Sequence, residues 1–263
     1  MYAKKSLGQH FLKSEKALGS IVEAGEIQPG EIVLEIGPGQ GALTERLLEK
    51  KARVWAVEKD DELFKLLENK FEKEIDSKQL TLIHQDILEF EPREFEAGEW
   101  KLIANIPYNI TGAILEKFLS NDNQPSKMVL LVQKEVAERI VAKDGKESIL
   151  SISVKVYGKP HYIETVKAGS FSPAPQVDSA IITVEQISKN FFNQASEKDF
   201  FKTLQAGFQS KRKKLSSNLS KIYPKEEVLK TFEALNLDEN TRAEDVSLEN
   251  WSEIFENLNK VGN

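Results

Sequence analysis

Apolar residues recur along this chain in two rhythms, and the order in which the rhythms alternate sets the expected architecture. "EIVLEI" is a short, nearly continuous apolar run that ends in the glycine-rich turn "GPGQG", and "ALTERLLEK" behind it carries apolar residues at helical spacing. "RVWAVE" repeats the strand rhythm ahead of the amphipathic "DDELFKLLENKFEKE". "LTLIHQD", "KLIAN" and "KMVLLVQ" follow, each with a loop or helical stretch behind it. Strands alternating with helices predict a parallel sheet covered on both faces, a doubly wound α/β domain over the first two thirds of the chain. "YIETV" and "SAIITVEQI" read as closing antiparallel strands, separated by the proline-punctuated loop "FSPAPQVD". "SISVKVYG", residues 151–158, alternates apolar and β-branched residues with polar ones, which by period alone favours a strand.

After Ile187 the strand rhythm stops. "EKDFFKTLQAGFQ", "SKRKKLSSNLSKI", "KEEVLKTFEAL" and "SLENWSEIFENLNK" are helix-forming, charged and phenylalanine-containing. They predict a small all-helical domain over 188–263 behind an α/β domain over 1–187.

Composition narrows this picture. With 40% hydrophobic and 30% charged residues among 263, the chain has the side chains for a substantial core, and disorder is not its default state. It has no cysteine, so disulfides and thiolate metal sites are excluded; its histidines are His10, His84 and His161, and no metal is expected. The start, "MYAKKSLGQHFLKSEK", has no apolar run fit for a signal peptide, and "MVLLV" is too short to cross a bilayer, so a cytoplasmic protein away from membranes is expected. A net charge of −6 argues against a protein that coats nucleic acid indiscriminately. The average conceals a division, however. Residues 198–225 hold eight basic side chains and one acid, whereas residues 226–256 hold ten acids against Lys230 and Arg242. Screening over roughly 8 Å at physiological salt lets a phosphate respond to the nearer patch.

The candidate chemistry lies at successive strand ends. Gly37, Gly39 and Gly41 follow a strand and precede a helix, so backbone can approach a ligand without interference from Cβ. Their G-x-G-x-G spacing is not the dinucleotide G-x-G-x-x-G, and a tight turn with no ligand is the plain alternative. Glu58 ends "RVWAVE" at the carboxyl edge, where a carboxylate can accept both hydroxyls of a ribose; Asp86 ends "LTLIHQD", where it could take the amino group of an adenine. Each has a helix cap as its plain alternative. Asn105 ends the fourth strand and opens Asn-Ile-Pro-Tyr. An aromatic amine is a poor nucleophile because its lone pair is delocalised, so it needs acceptors that hold it and turn that pair toward an electrophile. The Asn105 carboxamide and the Ile106 carbonyl can do this, Pro107 fixes the backbone that aims that carbonyl, and Tyr108 offers a face to an extruded base. The plain alternative is a turn with a buried tyrosine.

Asn105 to Tyr108 resembles the N/D-P-P-Y/F signature of amino-methyltransferases. Together with "SLGQHFL", "EIGPGQGALT", "QDIL", "NIPYNIT", "LLVQKEVAERI", "FSPAPQVDSA", "FQSKRKKLSSNL" and "TRAEDVSLENW", the chain resembles over nearly its whole length the bacterial small-subunit ribosomal RNA adenine dimethyltransferase family. The resemblance implies a seven-stranded Rossmann-like methyltransferase domain with a C-terminal helical domain that binds RNA or ribosome, and it favours a helix over the strand rhythm at 151–158. It implies S-adenosylmethionine as cofactor and dimethylation of two adjacent adenosines in a hairpin near the 3′ end of 16S ribosomal RNA, within an immature small subunit, by a protein expected to be a monomer. Carried across by position, His10, Leu12, Gly37, Gly39, Gly41, Glu58, Asp86 and Asn105 would bind the cofactor. Phe171 would sandwich the target base with Tyr108, and Lys211, Arg212, Lys213 and Lys214 would contact RNA. His10 stands where many members have asparagine. Competing readings are a large-subunit ribosomal RNA adenine methyltransferase and an assembly checkpoint factor whose binding outweighs its catalysis.

Overall fold

The computed structural model describes residues 9–93, 95, 99–192 and 196–259. Ser6 to Gly8 of the "SLGQHFL" motif lie outside them. The chain divides into two compact units, one of residues 1–137 and 158–187, the other of 138–157 and 188–263.

The first unit opens with strand β1 (Phe11–Leu12) and helix α1 (Glu15–Ala24), whose cap Ser14 accepts from the Ala17 N–H. It then alternates β2 (Ile32–Ile36), α2 (Ala42–Glu49), β3 (Arg53–Glu58), α3 (Asp61–Lys70), the short α4 (Glu72–Asp76), β4 (Leu80–His84), β5 (Trp100–Asn105), α5 (Thr111–Leu119) and β6 (Lys127–Gln133). The sequence-predicted antiparallel pair is β7 (Lys159–Val166) and β9 (Ser179–Glu185), with the two-residue β8 (Phe171–Ser172) between them in the chain. Seven strands form one sheet in the order β4-β3-β2-β5-β6-β9-β7, parallel from β4 to β6 and antiparallel on both sides of β9. Burial follows position. The central β6 is buried from Lys127 through Val132, whereas the edge strand β7 alternates exposed and half-buried residues. Chain order reverses at β2 and β5, which leaves a crevice beyond their carboxyl ends. β1 and β8 form a separate antiparallel clip, Leu12 opposite Phe171.

Sequence and structure differ at one strand end: β4 stops at His84, so Asp86 belongs to the loop beyond it.

In the second unit, residues 151–155 of the alternating stretch are helical. Ser148 and Ser151 form a reciprocal capping box that starts α7 (Ile149–Lys155; α6 is Lys134–Val141), and Ser151, Ile152 and Val154 are buried. The cap and the burial of one helical face override β-propensity here. Tyr157 stacks on Phe201 and donates its hydroxyl to Glu197, which assigns 138–157 to the helical unit although that stretch precedes Ile187. The unit's remaining helices are α8 (Glu197–Phe208), α9 (Leu215–Leu219), α10 (Lys225–Ala234) and α11 (Leu248–Asn259), packed around Phe200, Leu204, Leu215, Trp251 and Ile254. Gly207 on α8 lets the Trp251 ring approach so closely that an added Cβ would fall 2.3 Å from it. No helix among the described residues is long and apolar enough to cross a membrane.

Candidate active site

The crevice at the carboxyl edge of the first unit's sheet opens into a cavity of about 280 Å³. Its lining brings together His10, Leu12, Gly37, Gly39, Glu58, Asp86, Asn105, Ile106, Pro107 and Tyr108, which are separated by up to 98 positions in the sequence.

Its floor is the turn after β2. Gly37 and Gly39 both have φ near +60°, and an added Cβ on Gly39 would lie 3.1 Å from the Phe11 ring, so glycine there lets the N-terminal clip close over the loop. Gly41 is the exception among the three glycines. It has φ 79° and does not line the cavity; a Cβ there would meet the Phe71 ring at 2.5 Å, so its glycine serves the packing of Phe71 beneath the start of α2.

Glu58, at the end of β3, is buried. Its Oε2 accepts from the Gly39 N–H at 3.2 Å and its Oε1 from the Asp60 N–H at 2.8 Å. Burial pushes its carboxyl above the usual range, while these backbone donors pull the other way. Asp60 caps α3, so the helix-cap alternative considered for Glu58 falls to its neighbour. At Asp86, Oδ1 accepts the Leu88 N–H at 2.9 Å in a local turn, and Oδ2 accepts from Lys59 Nζ at 2.7 Å. Lys59 and the Leu88 amide hold its pKa below the ordinary aspartate value.

Asn105 closes β5. Its Nδ2 donates to the His10 main-chain carbonyl at 3.2 Å, which fixes the carboxamide so that Oδ1 is left as an acceptor without a partner among the described residues. Pro107, at φ −59° and ψ 130°, leads into a 3₁₀ turn at Tyr108–Ile110. The Tyr108 hydroxyl pairs with Ser179 Oγ at 2.6 Å, and its ring stacks on His10 with centroids 5.9 Å apart and planes 20° apart. Burial raises the phenol pKa, opposed by the Ser179 bond.

Phe171 is not brought to the cavity. It is 5% exposed in the core beside Leu12, held there by the β1–β8 clip, and the aromatic partner facing Tyr108 is His10. Lys211, Arg212, Lys213 and Lys214 lie in the second unit between α8 and α9, all exposed and without an ion pair among the described residues.

Three residues escaped the sequence reading. Glu35 lines the cavity at 1% exposure and accepts from the Thr44 hydroxyl at 2.7 Å; burial pushes its pKa up to about 8. The carboxylate inside the apolar "IVLEI" was the available signal. Lys59 and Ser179 carried none, because only the fold sets them against Asp86 and Tyr108.

The ribosomal RNA adenine dimethylase model matches residues 1–260. The chain belongs to that family. It is therefore an S-adenosylmethionine-dependent ribosomal RNA adenine dimethyltransferase. It is 42% identical to the Ribosomal RNA small subunit methyltransferase A of Dehalococcoides mccartyi (strain CBDB1), over 96% of this chain and 87% of the relative, and 38% identical to the protein of that name from Fusobacterium nucleatum, over 96% of each. Among solved structures it is similar to a dimethyladenosine transferase from Plasmodium falciparum (TM-score 0.83, 26% identity, 96% of this chain and 98% of that one). It also resembles the 23S rRNA methyltransferase ErmE (TM-score 0.79, 27% identity, 95% and 99%).

Proposed function

We propose that this dimethyltransferase acts on two adjacent adenosines in a hairpin near the 3′ end of 16S ribosomal RNA, on immature small subunits, as a cytoplasmic monomer. The observation that carries the reading is the Asn105 to Tyr108 turn, set at the end of β5 within the cavity that Glu58 and Asp86 also line. The identity of the small-subunit relatives favours this substrate over the large-subunit one.

The cavity fits a nucleoside methyl donor. Glu58 is oriented by backbone N–H groups of Gly39, Lys59 and Asp60 and keeps acceptor capacity for ribose hydroxyls, and Asp86, kept ionised by Lys59, suits an adenine amino group. Gly37 leaves room above the loop, Gly39 lets Phe11 close against it, and His10 and Leu12 close the wall. When bound, S-adenosylmethionine supplies an activated methyl group on a sulfonium. Asn105 Oδ1 and the Ile106 carbonyl hold the N–H bonds of the target amine, which turns its lone pair out of conjugation and toward the donor. Tyr108 carries the extruded base. Lys211, Arg212, Lys213 and Lys214 neutralise RNA phosphates. Such holding of a near-attack pair is worth roughly 7 to 11 kcal/mol.

Labelled methyl transfer to unmethylated small and large subunits, followed by mapping of the modified nucleosides, tests the proposal. Dimethyladenosine at two adjacent small-subunit positions is expected, and label on the large subunit alone would overturn it. Asn105→Ala is expected to lose about a hundred-fold or more in rate while still binding donor.

A further inference from the structure

We infer that Asn218 is a positioning residue for RNA binding: it clasps both ends of the basic stretch Lys211, Arg212, Lys213 and Lys214, so that the four cations meet the ribosomal RNA backbone as one preset surface. The inference rests on the RNA contact proposed above for those residues and says what sets their geometry. Asn218 lies on α9, four positions beyond Lys214, and is fully buried. Its Nδ2 donates to the Gly207 carbonyl at 2.7 Å and to the Ser210 carbonyl at 3.1 Å. Both partners can only accept, which fixes the orientation of the carboxamide. Its main-chain N–H donates to the Lys214 carbonyl at 3.2 Å. One residue therefore holds the loop where it leaves α8 and where it enters α9.

Neighbouring contacts extend the clasp. The Lys213 N–H donates to the Ser210 carbonyl at 2.9 Å, closing a turn inside the stretch, and the N–H of the buried Leu215 donates to the Thr241 carbonyl at 2.8 Å. Lys221 Nζ reaches Gln209 Oε1 at 2.7 Å on the exposed side. Against this anchored backbone the four basic side chains stand exposed. Carbonyls at a helix C-terminus lack intrahelical donors, and lysine or arginine side chains often supply them. Here a buried neutral amide does so, which leaves the cations of the loop to face an anion. Asn218 Oδ1 sharpens the point: it is buried and has no hydrogen-bond partner among the described residues. An orphaned acceptor in the core costs stability, so this carboxamide is explained by what its two N–H bonds bridge rather than by packing. A loop ordered beforehand spares the entropy of ordering it on the RNA, and the clasp thereby becomes affinity.

The test is a double-mutant cycle on the full chain: wild type, Asn218→Ala, the variant with Lys211, Arg212, Lys213 and Lys214 all changed to alanine, and the two combined. Each is titrated with a small-subunit hairpin RNA by filter binding. Asn218→Ala is expected to weaken RNA binding about five- to ten-fold where the cations are present and by less than about two-fold where they are absent. Steady-state methylation of unmethylated small subunits should show the loss in KM rather than in kcat, and calorimetric titration should find the S-adenosylmethionine Kd within about two-fold of wild type. RNA binding unchanged by Asn218→Ala, or weakened equally in both backgrounds as a helix cap with no further role predicts, overturns the inference. Should Asn218→Ala fail to fold, hydrogen exchange of the wild-type chain decides: Lys213 and Leu215 amides protected before RNA is added support it, and protection gained only with RNA overturns it. If the variant lacking the four cations binds RNA as wild type does, the contact proposed for them is itself wrong and the inference falls with it, an outcome distinct from failure of Asn218 alone.

Discussion

Lys59 Nζ lies 2.7 Å from Asp86 Oδ2, so the acid expected to receive the adenine amino group is already engaged by a lysine that is itself 60% exposed. A carboxylate oxygen has two lone pairs, and the lysine leaves one for a ligand while keeping the acid charged. Asp86→Asn should raise the donor Kd about ten-fold, an effect on the order of 1.4 kcal/mol, because an acceptor is replaced by a mixed donor and acceptor. Lys59→Met should raise it only two- to three-fold, as an exposed ion pair is worth about 0 to 1 kcal/mol. Calorimetric titration of both variants checks the order, and a larger effect from Lys59 would show that the lysine itself touches the ligand.

Glu35 makes the stability of the protein pH-dependent in a stated direction. Burial first, then the charge of Glu58, lifts its carboxyl from 4.5 to about 8, against the opposing Thr44 hydrogen bond. The folded chain therefore keeps a proton that the unfolded chain has lost between those two values. Stability from this group is complete below about pH 4.5 and is lost as the pH rises through about 8. Urea midpoints measured from pH 5 to 9 should fall toward alkaline pH, and Glu35→Gln, which keeps an acceptor for Thr44, should flatten that slope.

Tyr108 offers a ring and a hydroxyl, and two substitutions separate them. Tyr108→Ala should slow single-turnover methylation by about ten-fold to a hundred-fold, in line with the roughly 1 to 3 kcal/mol of a base stacked on an aromatic ring. Tyr108→Phe keeps the ring and strands the fully buried Ser179 hydroxyl, so its main cost should be about 1 kcal/mol of stability. Single-turnover rates and thermal midpoints on the same preparations tell the two effects apart.

Replacing Lys211, Arg212, Lys213 and Lys214 together by alanine should weaken RNA binding without touching donor affinity. If all four meet phosphates, the slope of log K against log salt should flatten by about three. Filter binding of a small-subunit hairpin RNA between 50 and 200 mM salt measures it, and an unchanged slope would mean that these cations face solvent in the complex.

The sheet was legible because β2, β3, β5 and β6 are predominantly apolar runs separated by helical patterns, the signature of strands covered on both sides. Strand-end chemistry was legible for the same reason: a run that stops on Glu58 or Asn105 must deliver that side chain to the carboxyl edge. Residues 151–158 were ambiguous because their alternation matched a strand, and it took a serine capping box and burial against α8 to make 151–155 helical. Phe171 shows the opposite failure. Its place in the motif pointed to a base-stacking wall, but pairing with Leu12 across two short strands buries it, a tertiary fact that no local pattern carries. Gly41 likewise reads as part of a ligand loop until Phe71 is seen occupying the space its missing side chain leaves.

Because residues 138–157 pack with the helices that begin after Ile187, the polypeptide passes between its two units three times. The helical unit is therefore not an appendage that a single cut can remove. Truncation after Ile187 would strand α7 with Ile152, Val154 and Tyr157 uncovered, and a fusion partner or protease site placed there would dismantle one unit rather than liberate the other. Anyone wishing to obtain the methyl-transferring half alone must also excise 138–157, half of α6 included, and join Ala137 to Gly158 with a short linker.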